Sequence, residues 1–280
     1  MSSRILPLAL LLAACSEYQI NPEKDHSLGA DTGFVPDTED TEDEEDTAEP
    51  EEEDTDPDDA IDEEEPVANA PVYAHSSDML FEVEPATGQR TQIGTFSIDG
   101  QPIEDSFIDI AIDLDGRMYG ATFFGLFRIN PEDASVREIC AVDVDMVAMA
   151  FSSDGELFVG GADGVQIINV NNCRTTPLAV GGDYETSGDL VGLPDGYLYW
   201  TVRGDRDGLV RVDPLTGQTS WIGSTGFSRI FGLGYDDGVL YGFNDYGETI
   251  AISPSNASAN ILITDRSISW YGATTNPVQW

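Results

Sequence analysis

Between Phe107 and Pro131 an apolar run meets Asp115-Gly116, a second apolar run follows, and a short loop at Ala121–Gly125 leads into a third. Asp-Gly between two apolar segments predicts a tight β-hairpin, because both turn residues of such a hairpin adopt φ > 0. The same turn recurs at Asp154-Gly155, Asp195-Gly196 and Asp237-Gly238. One residue after each stands a leucine-like residue and an aromatic: Met118-Tyr119, Leu157-Phe158, Leu198-Tyr199 and Leu240-Tyr241. The spacing is about 40 residues, the period of four-stranded propeller blades.

A second element recurs out of phase with the hairpins. Leu80–Gly94 (LFEVEPATGQRTQIG) matches Leu126–Cys140 and Leu209–Gly223, with weaker copies at Val165–Ala179 and Thr249–Ile263. Each copy alternates apolar and polar residues, breaks at a Pro, Asn or Gly cluster and resumes, which describes a strand, a short turn and another strand. This element occurs five times and the hairpin four times. The missing hairpin is split between the ends. Pro71–His75 precedes Leu80 as Met118–Thr122 precedes Leu126, and Ile268–Asn276 resembles Ile230–Asp237. Joining the two closes a ring and removes exposed sheet edges. The expected fold is all-β: a five-bladed β-propeller over residues 67–280, closed by pairing of its N- and C-terminal strands. Small residues (Ala111, Ala148, Ala150, Gly192, Gly232, Gly234, Gly272, Ala273) mark the innermost strands, where the ring is tightest. Tyr73, Tyr119, Phe158, Tyr199 and Tyr241 fall at one equivalent place and are expected to pack between blades.

The first residues follow a different pattern. Arg4 supplies a positive n-region, and Ile5–Leu12 is an apolar h-region too short to span a bilayer. Leu12-Ala13-Ala14-Cys15 resembles the bacterial lipobox. That resemblance implies a signal peptide over residues 1–14, cleavage before Cys15, and a diacylglyceryl thioether with an N-acyl chain, such as palmitate, on Cys15. Ser16 after the cysteine implies the outer membrane, and hence an extracytoplasmic, envelope location. Residues 15–66 then form the lipidated N-terminus and an acidic tether. Thr38–Glu65 is almost wholly Asp, Glu, Thr, Pro and Ala, with no basic residue. Such a composition buries too little apolar area to offset chain entropy, so the tether is expected to be disordered. No later stretch is long and apolar enough to cross a membrane as a helix, which leaves the lipid as the expected anchor.

The chain carries 53 acidic and 12 basic residues, a formal charge of −41. Nearly half of the acidic residues precede residue 67, and the domain beyond remains acidic, its basic residues all scattered arginines. Nucleic acid, which requires clustered Lys and Arg, is not expected as a partner. Zinc sites need clustered Cys and His, whereas His26 lies in the tether and His75 alone in the domain, where it reads as structural. There is no Gly-x-Ser-x-Gly elbow and no convincing strand–helix unit to carry a phosphate or dinucleotide loop. Asp113-Leu114-Asp115-Gly116 lacks the further ligands of an EF-hand and reads as turn chemistry. No catalytic residue, cofactor or metal is therefore expected. With Cys15 lipidated, Cys140 and Cys173 remain. Cys140 ends the outer strand of blade two and Cys173 begins that of blade three. An oxidising compartment predicts a disulfide that staples the two blades.

The phrase Leu-(Phe/Val)-x-(Val/Ile)-(Asp/Asn/Glu)-Pro-x-Thr-Gly-x-x-x-x-Ile-Gly, clearest at Leu80–Gly94 and Leu209–Gly223, resembles repeats of secreted bacterial propellers in the broad YVTN and quinoprotein-like class. The resemblance implies a fold and no particular reaction. The expected function is a lipid-anchored, monomeric binding or scaffold module for an envelope protein or glycan, not an enzyme. The alternative is a carbohydrate-active hydrolase or lyase that uses aspartates at the channel mouth. Asp109, Asp145 and Asp189 stand just before the first strands of blades two, three and four, and Arg229 takes the corresponding place in blade five. Chains enter first strands on one face of a propeller, so these four are expected to converge around the axis as a ligand face. Loops between second and third strands add Phe123, Phe124, Arg203, Asp205, Arg206 and Tyr246.

Overall fold

The computed structural model describes residues 71–162 and 164–277. Every regular element assigned among them is a β-strand. The chain begins with β1 (Val72–His75), β2 (Met79–Glu84) and β3 (Gln89–Thr95), then a small hairpin of β4 (Ser97–Ile98) and β5 (Gln101–Pro102). The next sheet holds β6 (Asp109–Ile112), β7 (Met118–Ala121), β8 (Gly125–Ile129) and β9 (Val136–Ala141). A third holds β10 (Ala148–Phe151), β11 (Leu157–Gly161), β12 (Gly164–Ile168) and β13 (Thr175–Leu178). A fourth holds β14 (Thr186–Gly192), β15 (Leu198–Val202), β16 (Gly208–Val212) and β17 (Thr219–Ser224). A fifth holds β18 (Ile230–Asp236), β19 (Val239–Asn244), β20 (Glu248–Ile252) and β21 (Ala259–Thr264). The last strand, β22 (Gly272–Thr275), returns to pair with β1, placing Val72 opposite Thr275 and His75 opposite Gly272. The first sheet therefore runs β22-β1-β2-β3, and five four-stranded antiparallel blades close into the ring that the repeat count predicts. Cys15 and the signal and tether segments lie outside the described residues.

Five apolar clusters lie between successive blades. Tyr119 of blade two packs with Met149, Phe151 and Leu157 of blade three. Phe158 packs with Leu190, Leu198 and Trp200 of blade four, and Tyr199 with Ile230, Leu233 and Leu240 of blade five. Tyr241 meets Val72, Ala74 and Phe81 of blade one, and Tyr73 meets the cluster of Phe107, Ile110 and Ile112 in blade two. The recurring aromatic is thus the inter-blade wedge at all five junctions. A disulfide joins Cys140 at the end of β9 to Cys173 in the turn before β13, with Cα atoms 6.4 Å apart. It staples the second blade to the third.

The hairpin turns depart from the sequence expectation. Only blade five makes the two-residue turn in which both residues are left-handed, Asp237 at φ 41° and Gly238 at φ 80°. In blades two to four the glycine alone is left-handed, at Gly116, Gly155 and Gly196. There the loop is wider. In blade two the Asp113 N–H donates to the Arg117 carbonyl and the Gly116 N–H to the Asp113 carbonyl, each at 2.9 Å. The Asp113 side chain closes it by accepting from the N–H groups of Asp115 at 3.0 Å and Arg117 at 2.8 Å.

The turns between third and fourth strands share one geometry. Gly88, Ala134, Cys173, Gly217 and Ala257 all have positive φ, and each donates its N–H to the carbonyl four residues earlier at 2.7–2.9 Å. A β-carbon is tolerated at Ala134 and Ala257 because it faces Gly94 and Gly223 of the preceding blade. At Gly217 it would collide with the Ala179 carbonyl oxygen. Gly217→Ala combines left-handed strain with that clash and is expected to lower unfolding free energy by about 1–2 kcal/mol or more. Ala257→Gly, which trades strain relief for a lost buried methyl, should change stability far less. Urea unfolding of both variants checks the pair, and equal effects would contradict the assignment.

Candidate binding site at the propeller axis

Each blade's first strand has a neighbour on one side only, so amides on its other edge point at the axis. The registers place one residue per blade at a common level there: Gly272 opposite His75, Asp109 opposite Ala121, Ala148 opposite Gly160, and Gly232 opposite Phe243. In blade four Asp189 takes this place, its N–H donating to the Thr201 hydroxyl at 2.9 Å. The two aspartates are wholly buried, and each bridges two blades. Asp109 accepts from the amide of Ile110 in its own strand at 2.8 Å and from that of Met149 in blade three at 2.6 Å. Asp189 accepts from Leu190 at 2.6 Å and from Leu233 of blade five. Gly272 is small because a β-carbon would fall against both Asp109 Oδ1 and His75 Nε2.

The two carboxyls interact across the axis. Burial raises the pKa of Asp109 well above the usual carboxylate value, and the charge of Asp189 and a hydrogen bond to it raise it further. Burial pushes Asp189 up to about 8, opposed by hydrogen bonds from Asp109 and from backbone amides. At neutral pH the pair therefore retains at least one proton. His75, also wholly buried, is lowered to about 4 by burial. Its Nδ1 hydrogen-bonds the Ser76 carbonyl at 2.7 Å, which places the proton there. Nε2 has no partner among the described residues.

One position before the axial level, every blade contributes to a cavity of about 220 Å³: Tyr271, Ile108, Val147, Gly188 and Phe231. Arg229, Ser269 and Asp245 complete its wall. Arg229 pairs with Asp245 at 2.5 Å and lies over the rings of Phe231 and Tyr246, 5.5 and 6.0 Å from their centres. Its backbone is left-handed, φ 61°, a conformation unfavourable for a residue with a β-carbon. The buried Asp207 holds the chain there by accepting from the Ile230 amide at 2.8 Å. The second oxygen of Asp245, Oδ1, is buried with no partner among the described residues. A second cavity, about 280 Å³, shares Val147 and is lined by Asp145, Glu185, Thr186 and Arg203. Thr186 is 6 % exposed and its hydroxyl has no partner among the described residues. The Arg203 Nε donates to the Thr186 carbonyl at 3.0 Å.

The four sequence-predicted residues thus divide. Asp109 and Asp189 meet at the axis, buried beneath the surface. Arg229 lines the axial cavity. Asp145 stands three residues before the axial level, which Ala148 occupies, and lines the neighbouring cavity. Phe123 and Phe124 are 65 % and 68 % exposed, in the loop beside the Asp109 end of β7. Sequence reasoning missed Asp245, Phe231, Tyr271, Asp207 and Thr186. Asp245 reads as a turn residue before Tyr246-Gly247, and nothing local signals that Asp207 fixes the backbone beside Arg229. Among the described residues no cluster of three or more His, Cys, Asp or Glu is placed to hold a metal.

No family model matches this chain, and a search of curated proteins finds no significant match. Solved structures do match. The crystal structure of a nidogen/laminin complex aligns with a TM-score of 0.52 at 12 % identity, covering 76 % of this chain and 100 % of that one. TolB from Acinetobacter baumannii aligns at 0.46 and 10 % identity, over 74 % of this chain and 66 % of that one. A protein of unknown function from Bacteroides thetaiotaomicron aligns at 0.45 and 12 %, over 69 % and 57 %. The first of these likenesses supports the propeller fold.

The axial pair predicts a pH dependence. Both folded pKa values lie above the unfolded value near 4. The folded state then binds more protons across the window from about 4 up through about 8, so their contribution is full below that window and is lost as pH rises. Urea unfolding should show stability falling from pH 5 to pH 8, with a slope of order 1 kcal/mol per pH unit. The double variant Asp109→Asn/Asp189→Asn should be less stable than the wild type at pH 5 and lose most of that slope. An unchanged slope would contradict the shared-proton assignment.

Proposed function

We propose that this protein is a lipid-anchored, extracytoplasmic propeller that serves as a binding or scaffold module for an envelope protein or glycan, working through the face that carries the axial cavity. The observation that carries this reading is the placement of that face. The cavity lies where first strands begin and second strands end. The described chain enters the ring at Val72, opposite Thr275 at the far end of β22, on the face opposite the cavity. Among the described residues the cavity face carries four exposed aromatic side chains, Phe123, Phe124, Tyr246 and Tyr271, at 39–68 % exposure. Adjacent exposed aromatics on an otherwise polar surface mark interaction sites.

The arrangement favours binding over glycoside cleavage. Cleavage takes two carboxyl groups flanking an accessible bond. Asp109 and Asp189 are wholly buried and engaged by backbone amides. The test is capture of envelope components by the full-length protein, comparing the wild type with Phe123→Ser/Phe124→Ser. A component retained by the wild type and lost with the variant is expected. Retention of nothing, or equal retention by both, would contradict the reading.

A further inference from the structure

The axial face carries two cavities rather than one, and their polar groups have a common character. In the axial cavity Arg229 and Asp245 neutralise each other at 2.5 Å, so the site has no net charge to offer an anion or a cation. What remains is hydrogen-bonding capacity of both kinds. A guanidinium has five N–H donors, and the Asp245 carboxylate accepts, its Oδ1 having no partner among the described residues. The neighbouring cavity adds the Thr186 hydroxyl, able to donate and accept and without a partner among the described residues, next to Arg203, with the carboxylates of Asp145 and Glu185 also in its wall and Glu185 3.8 Å from Arg203. Buried polar atoms in folded proteins are nearly always satisfied, so two unsatisfied ones in adjoining cavities point to a ligand or ligand-like solvent. The remaining wall of the axial cavity is apolar and aromatic, from Val147, Phe231 and Tyr271. Arg229 is pre-set by its left-handed backbone and by Asp207, and strain held in place by surrounding structure gathers at functional sites.

We propose that the two cavities form one continuous subsite pair for a neutral oligosaccharide. One pyranose ring sits in the axial cavity with its C–H face on Tyr271 and Phe231. Two of its hydroxyls lie against the Arg229–Asp245 pair, one accepting from the guanidinium and the other donating to the carboxylate. The next unit crosses Val147 and hydrogen-bonds Thr186 and Arg203. A hydroxyl both donates and accepts, which suits a charge-balanced pair; a carboxylate or phosphate would have to break the Arg229–Asp245 bond to bind. This inference rests on reading the axial face as the binding surface.

The full-length protein is titrated by calorimetry and saturation-transfer NMR with glucose, galactose, mannose and N-acetylglucosamine, with their 1,4-linked disaccharides, and with glucuronate and inorganic phosphate. At least one neutral disaccharide is expected to bind about tenfold or more tighter than its monosaccharide, since the second unit binds intramolecularly. Glucuronate and phosphate are expected not to bind. Arg229→Gln and Tyr271→Ala should abolish binding. Thr186→Val, close in shape, should weaken the disaccharide and leave the monosaccharide unchanged. Asp245→Asn leaves Arg229 uncompensated and should shift preference to glucuronate, a readout that misfolding cannot produce. Absence of binding by every neutral saccharide, or binding indifferent to Arg229→Gln and Tyr271→Ala, would overturn the proposal. If an envelope protein is still captured in a Phe123- and Phe124-dependent way while saccharides do not bind, the oligosaccharide assignment fails and the binding-module reading stands.

Discussion

The inner edge of a propeller is the constraint around which this fold is arranged. Five first strands present amides to the axis, and no further strand is available to accept from them. A buried amide without a partner costs about as much as a lost hydrogen bond. Here two carboxyls serve four of those amides, those of Ile110, Met149, Leu190 and Leu233. Each side chain takes one amide from its own strand and one from the next blade, so the same bonds that satisfy the edge also hold neighbouring blades together. The seam between blades five and one is held similarly, by the Tyr235 amide donating to the Thr275 hydroxyl at 2.7 Å. Burying two carboxylates side by side would be prohibitive, and a retained proton removes that penalty.

This axial layer also sets the position of the functional face. The residue before each axial position, one per blade, turns outward into the cavity wall. Gly188 contributes no side chain where Phe231 needs room, since a β-carbon there would meet the Phe231 ring. The Arg229–Asp245 pair then sits on a rigid rim. Asp207, itself buried and with its pKa raised by burial, is a positioning residue, acting on the site through the backbone of Ile230.

The architecture was legible because repetition is a global signal. Five copies of the strand–turn–strand element and four hairpins gave the blade number, and PVYAH against ISWYGATTN gave the closure. The disulfide followed from Cys140 standing at the end of one outer strand and Cys173 just before the start of the next. Residue-level placement was harder, for physical reasons. Asp-Gly carries one spelling but two turn geometries, and only Asp237-Gly238 has the short one. A register shift at the start of β18 breaks the simple counting from turn to axis in blade five, so Arg229 falls short of the axial level that Gly232 takes, and in blade three Ala148, three residues after Asp145, takes that level. The cavity wall depends on a left-handed backbone and on loops from different blades, and neither leaves a periodic trace.

The protonation of the axial pair tests this account most directly. Carbon-detected NMR of the side-chain carboxyls of Asp109 and Asp189 in the full-length protein, followed from pH 4 to pH 9, reports it without any substitution. The account predicts that at least one of the two carboxyls stays protonated well above pH 6, with the pair losing protons only toward about pH 8. Two carboxylates that ionise independently near 4, the ordinary value for an aspartate, would contradict it.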